Sequence, residues 1–294
     1  MPGAGELRVL RRRIRSVKST QKITRAMELI AASRIARARR AVDAARPYAQ
    51  GISRVIRDLA SESEVADHPL IAPHENVRRV GIVVLSSDRG LAGAYNTNIL
   101  RRAERLAKEE AAAGREIALY AVGSKGEGYF KYRGYTPVRT WTGVSDQPSY
   151  TDAVEIAETV SEHYRKQEID RVWVAYTDFK SALTQVSSTL RVLPVDPTQF
   201  GGGHAFPPQF SFEPDPASLL DRLIPRYVEH QIFAALMESS ASEHASRQRA
   251  MKAATDNAGD IIADLTRESN RARQAAITTE ISEIVGGAEA LSTK

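Results

Sequence analysis

A chain of 294 residues with 42% hydrophobic, 26% charged and only 6% aromatic residues has the composition of a soluble protein of about two domains, without a large ring-built core. It contains no cysteine, which excludes disulfides, thiolate nucleophiles and cysteine–zinc sites and fits a reducing cytoplasm. The net charge of +5 is uneven: residues 1–48 carry 13 Lys and Arg against Glu6, Glu28 and Asp43, a local net of +10 that leaves −5 for the remainder.

A basic arm on a mildly acidic body implies an acidic partner, whether nucleic acid, anionic lipid or protein. The arginine-rich N-terminus has no apolar stretch behind it, so no secretory signal is expected. No apolar run reaches the roughly 20 residues of a membrane span, and membrane association is expected only through partners.

From Glu6 to about Leu59 apolar or small residues recur at steps of three and four. They read Leu7, Leu10, Ile14, Val17, then Ile23, Met27, Ile30, and Ile35, Ala38, Val42, Ala45. This spacing predicts a helix with one apolar stripe, and the six-residue step from Val17 to Ile23 predicts a local slip of the seam. About 50 residues span roughly 75 Å, too long for a compact core to cover, so a second long helix is required.

The period then changes. Val80–Leu85 reads as a buried strand, 96–113 as a helix closed by Gly114, Glu116–Val122 as a strand and the segment after Gly123 as a short helix. Residues 151–167 read as a helix, Val172–Thr177 as a strand and Val186–Val195 as one more. The alternation predicts an α/β layer with some parallel pairing. Residues 194–216, rich in Pro and Gly, read as a hinge loop, and Gly201–Pro208 within it has no assignable role.

The C-terminal segment supplies the second long helix. Pro225 fits a first helical turn, and the stripe runs through Ile232, Leu236, Met251, Ala254, Ala258, Ile261 and Leu265 to Ile277, Ile281, Ile284, Ala288 and Leu291. Two long helices at opposite ends predict an antiparallel coiled coil, with a seam rich in alanine and polar residues and therefore weak on its own. The division is a coiled-coil helix over 1–60, a Rossmann-like α/β domain over 77–195, a hinge over 196–216 and a coiled-coil helix over 217–294.

Candidate chemistry is sparse. The loop Asp88–Gly93 stands between strand and helix, where phosphate loops stand, but its glycine spacing fits neither the dinucleotide fingerprint nor the lysine-bearing P-loop. It reads as a tight turn, as does Gly123–Gly126. The six histidines show no metal-ligand spacing, and nothing resembles a nucleophile–base pair. No catalytic residue, cofactor or metal is expected. Arg11, Arg12, Arg13, Arg34, Arg37, Arg39 and Arg40 are dense enough for a binding surface, and without interleaved aromatics they favour an acidic protein over nucleic acid.

Two segments carry a resemblance: Ile14–Arg34 followed by Arg46-Pro-Tyr48, and Met251–Ala258 with Asn270–Ala288. Together with Ser87–Gly93 and Val122–Gly126, they resemble the gamma subunit of bacterial F-type ATP synthases over essentially the whole chain. The resemblance implies a central-stalk rotor, peripheral on the cytoplasmic face of the cell membrane, that couples proton flow to ATP synthesis or hydrolysis without a catalytic site of its own. It implies as partners the alpha and beta subunits of the catalytic hexamer, the epsilon subunit and the ring of c subunits, and no nucleic acid.

In that family an acidic lever loop of the beta subunit would meet the basic arm. By resemblance, Lys18, Arg25 and Met27 lie near it, and Glu243, Arg247, Arg273, Gln274 and Thr278 match positions that touch the surrounding ring. Ile281, Ile284, Val285, Ala288 and Leu291 would form an apolar tip turning in an apolar sleeve. Plastid members carry a regulatory cysteine pair that this chain lacks, so thiol switching of that kind is excluded.

Overall fold

The computed structural model describes residues 2–60, 68–196 and 215–292, and the Gly201–Pro208 segment lies outside the described residues. The elements in chain order are α1 (Pro2–Ala60), β1 (Arg79–Leu85), α2 (Tyr95–Ala112), β2 (Glu116–Val122), α3 (Ser124–Tyr132), β3 (Arg139–Trp141), α4 (Tyr150–Arg165), β4 (Arg171–Phe179), β5 (Gln185–Leu193) and α5 (Pro216–Ser292). They pack as two units, one of residues 31–247 and one of residues 1–30 with 248–294.

In the larger unit five strands form one sheet in the order β3-β2-β1-β4-β5. β1 pairs in parallel with β2 and β4, β2 pairs in parallel with β3, and β5 closes the edge antiparallel to β4. β1 is buried from Val80 onwards, as a strand covered on both faces must be. Its side chains alternate: Val80, Ile82 and Val84 join the α2 residues Ile99, Ala103 and Leu106 in one core, while Val83 and Leu85 point to the other. That second core takes Ile156 and Val160 from α4, Ile52 and Ile56 from α1, and Ile224, Val228, Ile232 and Leu236 from α5. The long helices therefore form part of one wall of the α/β domain.

Local chemistry sets the element boundaries. Ser149 and Asp152 form a reciprocal capping box at the start of α4. Gly123 precedes α3 at φ 91°, and a Cβ there would stand 2.3 Å from the Ser86 carbonyl oxygen. α5 starts at Pro216, with the Asp215 carboxylate accepting from the Ser218 N–H at 2.9 Å. Pro225, expected in a first turn, instead lies inside the helix. Pro216 and Asp215 supply the start signal, and the sequence offered both prolines. The sequence reading also missed β3, which at three residues is too short to show a period.

In the smaller unit the two helices run antiparallel. Gln21 Nε2 donates to the Thr255 carbonyl at 3.3 Å and also stands 3.3 Å from a Cβ built at Gly259, while Thr24 and Thr255 share a hydroxyl bond of 2.7 Å. The seam differs from its expected course. On α1 of this unit the covered or half-covered positions are Leu7, Leu10, Ile14, Val17, Gln21, Thr24 and Glu28, an unbroken alternation of steps of three and four, with Met27 half-buried beside Glu28. Hence there is no slip after Val17, because polar residues keep the register there. Ile23 and Ile30 are 58% and 53% exposed. On α5 the matching seam runs Met251, Thr255, Ala258, Ile262, Leu265, Ser269, Ala272 and Ala276, again by fours and threes. This 3.5-residue repeat is that of a left-handed supercoil.

Candidate functional site

Doubly wound sheets bind ligands outside the carboxyl ends of their strands, where the strand order reverses. Here that point lies between β1 and β4, and the chain's own groups occupy it and the neighbouring carboxyl ends of β2 and β3. The Asp88 carboxylate accepts from the backbone N–H and hydroxyl of Ser124, each at 3.1 Å, so it takes the anion position at the start of α3. Its other oxygen accepts from the Ser145 N–H at 3.2 Å, and the Asp88 N–H donates back to the Ser145 hydroxyl at 2.9 Å. Burial alone would raise this carboxyl, but bonds from the N–H groups of Gly143, Ser124 and Ser145 and the Ser124 hydroxyl outweigh it and hold it below the usual carboxylate range. A phosphate arriving there would meet a fixed negative charge.

The rest of the crevice is taken by α5. The last β1–β4 pair is Val84 with Ala175, yet β4 continues to Phe179. Beyond the end of that pairing, the Thr177 N–H donates to the Ser239 hydroxyl at 3.1 Å and the Ser242 hydroxyl donates to the Thr177 carbonyl at 3.1 Å. One turn on, Arg247 donates to Glu243 at 2.6 Å and to the Gly90 carbonyl at 3.3 Å. Burial pushes the Glu243 carboxyl up, against the pull of Arg247. His244 donates to the Asp146 carbonyl at 3.1 Å, and Arg34 of α1 bonds the Asp146 carboxylate. Crevice and loop thus hold helices in place of a ligand.

The site residues expected from sequence fall into two groups. Glu243 and Arg247 are 1% and 7% exposed and bind each other, and Arg247 also binds the loop after β1. The others belong to the smaller unit. Lys18, Arg273, Gln274 and Thr278 are exposed, Met27 is half-buried beside the seam, and Arg25 reaches Glu28 at 2.8 Å. Arg8, Arg11, Arg12, Arg13 and Arg15 make no ion pair among the described residues. Ile277, Ile281, Ile284 and Val285 are 48%, 56%, 66% and 58% exposed, and Ala288 is exposed too. The side chain of Leu291 lies outside the described residues.

Sequence reasoning missed the network of Arg34, Asp146, Ser239, Ser242 and His244. A signal was present: the α5 stripe has no large apolar residue between Leu236 and Met251 except Met237, and serines stand at 239, 240, 242 and 246. Small polar residues at positions that ought to be buried point to hydrogen bonds with a neighbouring backbone.

Residues 6–291 match a family model described as ATP synthase. The chain is 51% identical to the ATP synthase gamma chain of Frankia casuarinae, covering 99% of each sequence. It is 47% identical to the ATP synthase gamma chain of Mycolicibacterium smegmatis, covering 98% of this chain and 99% of that one. Among solved structures, a chain of the central stalk and c-ring of Tetrahymena thermophila mitochondrial ATP synthase superposes with a TM-score of 0.62 at 27% identity, over 79% of this chain and 99% of that chain. A chain of the Euglena gracilis mitochondrial ATP synthase shares the fold, with a TM-score of 0.64 at 18% identity over 98% of this chain and 95% of that chain.

Proposed function

Because this chain belongs to the ATP synthase gamma chain family, we propose that it is the rotating central stalk through which proton flow at a c-subunit ring is coupled to ATP synthesis or hydrolysis on beta subunits. The observation that carries this reading is the smaller unit. Its seam mixes leucine, isoleucine, valine and methionine with threonine, glutamine and alanine and leaves exposed apolar side chains on both helices, and α5 continues beyond Ala276 as a run without cover among the described residues. A helix pair of that kind is suited to burial inside a partner ring. Contacts with an apolar sleeve are non-directional, so they permit turning without breaking fixed hydrogen bonds.

The contact residues follow from this reading. Lys18 and Arg25, with Met27 between two exposed isoleucines, face an acidic lever of beta. Arg273, Gln274 and Thr278 face the ring, and Ile281, Ile284, Val285, Ala288 and Leu291 form the turning tip. Glu243 and Arg247, a buried pair in this chain with Arg247 bonded to Gly90, are assigned to contact with the ring too. In this assignment 1–60 and 217–294 are shaft and 77–195 is the Rossmann-like body, which meets the epsilon subunit and the c-ring. The chain has no catalytic site of its own, and it is peripheral on the cytoplasmic face of the cell membrane. No helix among the described residues is long and apolar enough to cross a membrane.

Co-expression with alpha and beta subunits tests this. A stoichiometric complex that hydrolyses ATP, and stops when the shaft is crosslinked to beta, is expected. Failure of that complex to form overturns the proposal. Salt-sensitive duplex DNA binding by the chain alone would favour a nucleic-acid reading instead.

A further inference from the structure

One face of α5 changes character along its length. Positions 232, 236, 239, 242, 243 and 246 share that face by steps of three and four, and they read Ile, Leu, Ser, Ser, Glu, Ser. Ile232 and Leu236 pack in the apolar core against the sheet. Such contacts are non-directional and resist separation more than they resist a small turn of the helix about its axis. The next positions behave differently. Ser239 and Ser242, at 4% and 0% exposure, grip both the N–H and the C=O of Thr177, a residue fixed in β4 by its pairing with Ser187 of β5.

Hydrogen bonds weaken steeply as donor and acceptor swing out of line. Two of them from neighbouring positions on a helix, aimed at one rigid backbone residue, fix its rotation about its own axis. Ser246 adds a bond to Gln185 of β5 at 3.3 Å, and Arg247 reaches the Gly90 carbonyl. Every one of these partners belongs to the sheet or the loop after β1.

We propose that Ser239 and Ser242 are positioning residues of a torque lock, which holds α5 against rotation relative to the sheet so that turning of the α/β body is delivered to the helix without slip. The lock rests on the rotor reading above. It takes the place of a ligand at the switch point of the sheet, and it ties α5 to a strand, whereas beside the apolar core the bond from Tyr150 to Glu229, at 2.7 Å, ties it only to α4.

The test uses the complete synthase in everted membrane vesicles carrying the S239A/S242A chain. Hydrolysis of ATP is expected to stay within about twofold of native, because no catalytic group is touched, while the proton gradient reached at steady state falls at least about threefold as α5 yields under load. Leu236→Ala, which thins the apolar core one turn away and leaves the serines in place, is expected to lower thermal stability and keep the gradient near native. A native gradient in S239A/S242A overturns the lock, as does an equal loss of gradient in Leu236→Ala. If the double variant does not assemble, S242A alone is judged by the same gradient and the same control. Failure of the native chain to give a hydrolysing complex would overturn the rotor reading instead, so the two failures are told apart.

Discussion

At 1% exposure, His244 has neighbours that fix its tautomer. The Arg247 guanidinium can only donate, and it faces Nδ1 at 3.4 Å, so the ring proton sits on Nε2 and is donated to the Asp146 carbonyl. Burial first, and then the charges of Arg247 and Arg34, hold the imidazole below its ordinary 6.5 against the opposing pull of Asp146. Glu243, whose own carboxyl burial pushes up, stands on the same turn. Above pH 6.5 the folded and unfolded chains both carry a neutral ring. As the pH falls below that value the unfolded chain takes up a proton that the folded chain refuses, so stability declines until the folded value is passed. His68 and His230, also lowered chiefly by burial, act in the same sense. Denaturant midpoints measured between about pH 7.5 and pH 5.5 should therefore fall on acidification, and His244→Gln should remove part of that slope. An unchanged slope would mean that His244 is not a contributor.

The Gly123 position gives a sharper contrast at the same scale. A side chain there must hold φ near 91° and overlap the Ser86 carbonyl. Gly123→Ala is expected to cost about 3 kcal/mol or more, from strain and overpacking together. Gly128, inside α3 with open space around it, should gain about 0.5–1 kcal/mol on mutation to alanine. Urea denaturation of the two variants checks both signs.

At the scale of elements, the strands were readable because burial on both faces of a parallel sheet leaves a run such as Val80–Leu85 with little polar content. Both long helices were readable too, since each carries a stripe at helical spacing. Their seam was legible only in part. Apolar character was a false guide where a polar pair sits inside the interface and isoleucines sit outside it, as with Thr24 and Ile23. The crevice network was illegible for a different reason: it joins α5 to β4, to the loop after β1 and to Asp146, contacts separated by 62 to 157 residues.

The true seam makes a distinct expectation from the apparent one. Leu10, 4% exposed, should cost about 2 kcal/mol or more on mutation to alanine. Ile23, 58% exposed, should cost no more than about 0.5 kcal/mol in the free chain although the apolar spacing counts it in the stripe. Hydrogen exchange of the smaller unit's amides measures both. Equal costs would restore the slipped seam.

For the molecule as a whole, the proposed rotor reading gives partner contacts to two surfaces of different physical kind, and on that reading they should leave different traces in the kinetics of assembly. The arm at Arg11, Arg12 and Arg13 is exposed and without ion pairs among the described residues, within a segment of net +10. On the proposed reading its partner is an acidic lever of beta; such attraction acts at a distance and is screened over about 8 Å at physiological salt, so it would belong in the association rate. The exposed Ile281, Ile284 and Val285, the tip in the proposed reading, could act only on contact, by removing apolar surface from water, and so would belong in the dissociation rate. Changing the three arginines to glutamine should lower association with an alpha–beta hexamer roughly tenfold at low salt and flatten its salt dependence. Changing the three tip residues to alanine should speed dissociation by at least about tenfold and leave the salt slope of association as it was. Rapid-mixing measurements at several salt concentrations separate the two, because screening acts on one rate and not the other. If the tip variant flattened the salt slope while the arginine variant kept it, the division of labour between a steering arm and a gripping tip would be wrong, even with the complex intact.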